Sequence, residues 1–395
     1  MKCRYINKVA CLAAVCLFLT GCLDIRTRPA PPARGGEWED KVGVDESEVK
    51  GERIRVLIFR SGTGVDIEGS SAGAKLLIRR LPDGGVTVNG KRAQLPLSFP
   101  PDGGRGGAAG AIYVNKRPYR GTIEVHMGEG KDEGKLLVVD ELPLESYLVG
   151  LINSEVSSKW APEAIKAQAV AARTYALHRK EKRAGALFDL TSTHLDQVYM
   201  GAKLEDVAAY RAVKSTEGEV LIYKGEPALT LYHSNAGGRT EAAGEVWGSD
   251  YKYLRPVKSR YDKLAPNFEW ETALTRGSLE KFIKKAGYDL GKPKRIYVLR
   301  KSSTGRVKTV LIKDGRGGEL TLTGEKLRST IGYAILRSTM FKVKRSGETF
   351  VFKGRGSGHG VGLSQWGAKG MAEDGDSYRK ILKHYYPGTK LRKRW

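Results

Sequence analysis

Pro162-Glu-Ala-Ile-Lys-Ala-Gln-Ala-Val-Ala-Ala-Arg-Thr-Tyr-Ala-Leu-His-Arg-Lys-Glu-Lys182 is the stretch on which the fold turns. Pro162 suits the first helical position, where a missing N–H is not needed, and Glu163 favours the positive helix start. Ile165, Ala169, Ala172 and Ala176 recur at helical spacing, a face of small side chains that lets neighbours pack closely. The spacing predicts one packed helix over Pro162–Lys182.

Around that helix, short β-branched runs predict strands at Arg53–Phe59, Leu76–Arg79, Val86–Val88, Ile123–His126, Leu136–Val139, Val220–Tyr223 and Ala228–His233. Asp83-Gly84-Gly85 marks a turn and Pro101–Gly110 a glycine-rich loop. Further helices are expected over Leu204–Ser215, Ser278–Ala286 with Ser278 as cap, Thr323–Arg337 and Ser377–Tyr386. Arg295–Arg300 with Thr309–Lys313 reads as a hairpin, and Phe341–Val343 and Thr349–Phe352 read as strands. The expected class is α+β, mostly antiparallel strands with packed helices around a substrate cleft.

The N-terminus has a different character. Lys2, Arg4 and Lys8 precede an apolar run from Val9 to Leu19, and Leu19-Thr20-Gly21-Cys22 follows. A basic head and a short apolar stretch describe a secretory signal, too short for a comfortable membrane span. Its ending resembles the bacterial lipobox, which makes Cys22 the expected lipidation site. All four cysteines (Cys3, Cys11, Cys16, Cys22) lie in this leader or at its boundary, so the body has neither disulfide nor thiolate ligand. The expected organisation is a signal peptide over 1–21, a Pro/Gly-rich tether over 22–50, a β-rich part over 51–135 and a catalytic region over 136–395. Without Lys2, Arg4 and Lys8 the net charge is +21, three fewer than the +24 of the whole chain. So basic a field favours polyanionic partners, and export argues against nucleic acid.

Three segments depart from the habits of a packed domain. Leu142-Pro-Leu-Glu145-Ser-Tyr-Leu-Val-Gly150-Leu-Ile-Asn-Ser-Glu155 ends in a carboxylate among apolar residues. Such surroundings disfavour its charged form, which suits a general acid at neutral pH; a surface glutamate near a helix start is the plainer reading. In Leu231-Tyr-His233-Ser234-Asn-Ala-Gly237-Gly238-Arg-Thr240 a strand ends in polar groups and a glycine pair. His233 and Ser234, as strand neighbours, point oppositely and form no dyad. Gly354-Arg-Gly356-Ser-Gly358-His359-Gly360-Val-Gly362-Leu-Ser364-Gln365-Trp366 alternates glycines that are costly to order. The cost suggests a chain pressed against something, with His359 and Gln365 held in place. Trp366 offers a sugar a flat face or fills the core.

Together these segments resemble the SpoIID/LytB family, named for stage II sporulation protein D and an amidase enhancer. The matching stretches are Leu142–Leu177, Asp196–Gly201, Tyr232–Thr240 and Gly356–Ala368. The resemblance implies a peptidoglycan lytic transglycosylase that cuts between N-acetylmuramic acid and N-acetylglucosamine and forms 1,6-anhydro ends, preferring glycan without stem peptides. Glu155 matches the family's catalytic glutamate. Gln197, Tyr199, His233, Ser234, Gly237, Gly238, Thr240, His359, Gly360, Ser364 and Gln365 would contact or shape the sugar site, and Arg173 would brace it. Some relatives bind zinc through histidine and cysteine near the Asp-x-x-Tyr-x-Gly motif. Here that segment holds His194 and no cysteine, so neither metal nor cofactor is expected. The competing reading is a non-catalytic glycan binder that enhances a cell-wall amidase. Either way the expected partners are glycan strands and, through Cys22, a membrane. In a cell with two membranes the expected place is the periplasmic face of the outer one.

Overall fold

The computed structural model describes residues 51–69, 75–101, 110–266 and 268–395. The expected leader, Cys22, the tether and most of the Pro101–Gly110 loop lie outside the described residues.

The class is α+β. Arg53–Ser61, Leu136–Pro143 and Thr122–Met127 form the antiparallel centre of a five-stranded sheet, with Leu97–Phe99 and Leu190–Thr191 on its edges. Leu136–Pro143 is a nearly continuous apolar run because both of its faces are covered. It feeds directly into helix α1 (Leu144–Glu155), which leads to α2 (Pro162–Lys182). A six-stranded sheet from Gly64–Glu68 to Arg117–Tyr119 packs into the same core.

Helix α2 has the predicted bounds. Thirteen of its residues, from Ala164 to Leu177, are buried, because it lies between two cores, one around α1 and the other around the C-terminal helices. Then come α3 (Val207–Ser215), α4 (Ala243–Trp247), α5 (Arg276–Lys285), α6 (Gly324–Ile331), α7 (Gln365–Glu373) and α8 (Tyr378–Tyr385). The Ser377 hydroxyl caps α8 at the Lys380 N–H, and Tyr378, Ile381, Leu382 and Tyr385 are its buried face, as the spacing predicts.

Several boundaries differ from expectation for local reasons. Thr275, not Ser278, caps α5 by accepting from the Ser278 N–H. Helix α6 ends at Ile331, well short of Arg337, because Gly332 takes φ +108°. Only Tyr232–His233 of the expected Ala228–His233 strand is paired. Both α1 and α7, read in the sequence as irregular motif segments, are helices.

Residues Glu269–Arg355 build two three-stranded sheets around α5 and α6 with a core of their own, including Trp270, Ile312, Leu327, Phe350 and Phe352. This unit is inserted between Tyr232–His233 and Leu363–Ser364, which pair in parallel across it. The insertion therefore leaves the His233 and His359 segments side by side.

Candidate active site

Glu155 is the last residue of α1. Val156 turns the chain to extended geometry (φ −140°, ψ 163°), and Asn153 anchors the exit by donating to Leu204 O and accepting from the Ser158 N–H, both at 2.9 Å. Glu155 as a residue is half-buried. Its Oε1 accepts the Val198 N–H at 2.9 Å, and among the described residues no cation forms an ion pair with it. Burial among protein atoms pushes its pKa up to about 7, while the Val198 N–H, Gln365 and Tyr232 oppose that rise. The desolvation cost of the charged form exceeds what three neutral donors return.

Gln365 and Tyr232 reach Glu155 because of the parallel pairing of Tyr232 with Leu363. The Tyr232 hydroxyl accepts from Gln197 Nε2 at 2.9 Å, and Gln197 Oε1 accepts from the Tyr147 hydroxyl at 3.0 Å. A hydrogen-bonded row thus runs behind the carboxylate.

Both histidines beside this row are neutral, and their protons follow from their partners. His233 donates from Nδ1 to Val361 O at 3.1 Å. Its Nε2 is buried and has no partner among the described residues. His359 accepts the Val361 N–H at Nδ1 (3.0 Å), so Nε2 carries its proton, donated to Tyr232 O at 3.0 Å. Burial, aided by Arg328, pulls the His359 pKa down to about 3. The two rings lie 5.2 Å apart, and Trp247 packs 5.2 Å from His359 on its other side. The alternating glycines make this closeness possible. A Cβ on Gly358 (φ +105°) would stand 2.7 Å from His233 Cβ, and one on Gly362 (φ +75°) would stand 2.0 Å from Leu231 O.

Other expected site residues serve the scaffold. Gln197 is 1 % exposed and its amide is engaged at both ends, so it braces Tyr232 instead of meeting a sugar. Tyr199 is buried against Tyr119 and Tyr147 and donates to Asp140. Thr240 is buried and accepts the Val257 N–H at 2.8 Å. Ser364 is buried, caps α7 at the Gly367 N–H and donates to Asp262. These three have no face to offer a substrate, a correction to the sequence reading. Gly238 donates its N–H to Asp262 (2.9 Å), Gly237 packs against Met340 and Arg355, and Gly360 leaves room for the Arg306 guanidinium. Ser234 is partly accessible, and its carbonyl accepts the Trp366 N–H at 3.1 Å. Trp366 packs at a tilt of 57° against Trp160, with ring centroids 5.2 Å apart. Arg173 is fully buried and grips Glu145, at the other end of α1, with 2.9 and 2.7 Å bonds. The His194 ring lies edge-on to Tyr333, with centroids 5.7 Å apart. Among the described residues no three His, Cys, Asp or Glu side chains group as metal ligands.

Sequence reasoning passed over Tyr232, Trp247, Arg306, Arg328 and Tyr333. The alternation of the strand could have separated Tyr232 from His233. The last three come from the insertion, and nothing local marks them. Arg306 is buried and donates to Ala236 O at 2.6 Å, while Arg328 lies 4.5 Å over the Tyr333 ring.

The fold and this site define an α+β protein with a desolvated glutamate of raised pKa and two desolvated histidines set in by glycine-rich backbone. Residues 132–223 match the family described as Stage II sporulation protein, and residues 246–362 match one described as a domain of unknown function, DUF8618; the second spans the whole insertion. The chain is 34% identical over 272 residues to Stage II sporulation protein D of Bacillus subtilis, covering 64% of this chain and 75% of that protein. It is 35% identical over 265 residues to an uncharacterized protein of Brachyspira hyodysenteriae, with 65% and 68% coverage. To the Amidase enhancer of Bacillus subtilis it is 32% identical over 295 residues, 62% of this chain and 40% of that protein. The chain belongs to the SpoIID/LytB family.

Proposed function

We propose that this protein is a peptidoglycan lytic transglycosylase that cleaves the bond between N-acetylmuramic acid and N-acetylglucosamine in glycan freed of stem peptides, with Glu155 as single general acid and base. The observation that carries the reading is the carboxyl of half-buried Glu155, with no cation paired to it among the described residues, whose pKa burial pushes up to about 7. Protonated Glu155 gives its proton to the glycosidic oxygen as the C–O bond breaks. The carboxylate left behind takes the proton of the muramyl 6-hydroxyl as that oxygen bonds to C1. The product is a 1,6-anhydro ring, no water is added, and the glutamate ends protonated as it began.

Hydrolysis would call for a second carboxylate to attack or to activate water. Asp196, whose charge is felt by the same Tyr147 as that of Glu155, is tied to Arg179, Arg183 and the Thr191 N–H with its side chain 1 % exposed. It is unfit for that task, which favours the one-carboxylate route. In this reading Trp247 and Tyr333, both substantially exposed, flank the sugar, and His359, Ser234 and Gln365 orient it. Export, lipidation at Cys22 and residence at the cell envelope belong to the same proposal.

The test is digestion of purified denuded glycan by the wild type and by Glu155→Gln, with products read by mass spectrometry. Anhydro-muramyl ends from the wild type alone are expected. Reducing ends from the wild type, or undiminished products from the variant, would overturn the reading. The similarity to an amidase enhancer supports a second reading, a glycan binder that stimulates an amidase. It gains if wild type and variant bind glycan equally and neither cuts it.

A further inference from the structure

A cavity of about 500 Å³ lies away from Glu155, between α8 and the strand Lys390–Lys393. Leu221, Leu382 and Leu391 line it, and so do Arg379, Lys383, Lys390, Arg392 and Lys393. Among the described residues Glu219 is the one acid in its lining, and it is spent on Arg379 (2.6 Å) and the Tyr378 hydroxyl (2.8 Å). Lys383, Lys390, Arg392 and Lys393 are exposed and have no ion-pair partner among the described residues. Four cations without an ion-pair partner among the described residues, around a concave, apolar-floored site, fit a phosphate group carried on a partly apolar molecule.

The position of this cavity narrows the choice. Lys393 stands opposite Glu219 in the antiparallel strand register, the Arg394 N–H donates to Gly218 O at 2.9 Å, and Trp395 packs against both Gly218 and Gly51. Gly51 is where the fifty preceding residues join the described domain. The cavity therefore opens beside the point at which the chain enters.

We infer that the Lys383–Lys390–Arg392–Lys393 cavity seats the phosphate headgroups of an anionic bilayer and turns this face of the domain toward the membrane. Each Lys or Arg near such a surface strengthens attachment about fivefold. The seating also orients the site. Helix α1 begins on this face, with the Leu144 N–H on Glu52 O (2.8 Å) and Glu145 on the Gly218 N–H (3.2 Å). Ten residues of helix then carry Glu155 about 15 Å away from it. That consequence rests on Glu155 being the acid, whereas the attachment itself does not.

The experiment measures partition of the full chain onto phosphatidylcholine vesicles with and without phosphatidylglycerol. The triple variant Lys390→Gln, Arg392→Gln, Lys393→Gln is compared with Lys294→Gln, Arg300→Gln, Lys301→Gln, which removes equal charge from an exposed strand of the insertion. Any contribution of the N-terminal segment is common to all three proteins. The phosphatidylglycerol-dependent part of binding is expected to fall on the order of a hundredfold in the first variant and little in the second, with glycan cleavage in solution unchanged in both. Equal losses in the two variants, or full retention in the first, would overturn the inference. Loss of cleavage by wild type with binding intact would count against the proposed activity and not against this site.

Discussion

Helix α1 carries two glutamates, one near each end, and they lead different lives. Glu145 faces a buried guanidinium that bonds both of its oxygens, and it accepts the Gly218 N–H as well. Glu155 has one backbone N–H, two neutral side-chain donors and, among the described residues, no paired cation. The residue type and the helix are the same, so the difference lies in what tertiary packing delivers to each carboxyl. A cation makes Glu145 a joint between α1, α2 and the start of Glu219–Tyr223, since Arg173 also donates to Glu219 O. Its absence leaves Glu155, with its raised pKa, poised to hold or release a proton near neutrality, the same division by environment that separates paired carboxyl groups in enzymes.

The largest expected effect falls at the unpaired end. Glu155→Gln keeps the shape and removes the transferable proton, so kcat on denuded glycan should drop roughly 10²–10⁴-fold with the melting temperature held or raised. A drop in both together would mean that Glu155 is structural, like Glu145. At the paired end the order reverses. Arg173→Ala strands Glu145 and should cost about 3–5 kcal/mol of stability in urea unfolding, and removing both partners as Arg173→Met with Glu145→Leu should cost less. A stable Arg173→Ala would dissolve the contrast.

A third test makes one end imitate the other. In the wild type the acid must be protonated, so kcat/KM should fall as pH rises through about 7. Gln365→Lys brings an ammonium to Glu155, favours the carboxylate and should move that limb down by about 1–3 units, costing activity at neutral pH. A limb that does not move would mean another group sets it. The smallest effect is expected from Tyr232→Phe. It removes one donor that opposes the raised pKa, so the limb should shift upward by less than about one unit, with a modest fall in kcat as Gln197 loses one of its two acceptors.

Much of the site could be read in the chain, but unevenly. Apolar neighbours made Glu155 a candidate whose plainer reading was a surface glutamate, and the family resemblance singled it out; His359 drew notice because alternating glycines are wasteful unless backbone must approach something closely. Gln197, Tyr199, Thr240 and Ser364 were misjudged because polar residues in a recognisable motif look alike whether they face a ligand or satisfy a buried network. Their burial is a property of neighbours far away in sequence. Helices α1 and α7 were missed because their local composition carries weak periodicity, and packing against α2 decides them. The insertion's contributions, Arg306 and Arg328, had no local signal at all.

Local sequence by itself determined the long packed helix, its start at Pro162, most strand positions, the apolar setting of Glu155 and the glycine pattern around His359. Those depend on spacing, capping and backbone sterics, which act over a few residues. Tertiary structure alone decided which glutamate of α1 meets a cation, which tyrosine and glutamine reach the other, and that the chain entry, the basic cavity and the start of α1 share one face. Those depend on contacts between segments tens to hundreds of residues apart, and electrostatic free energies are set by such three-dimensional neighbours.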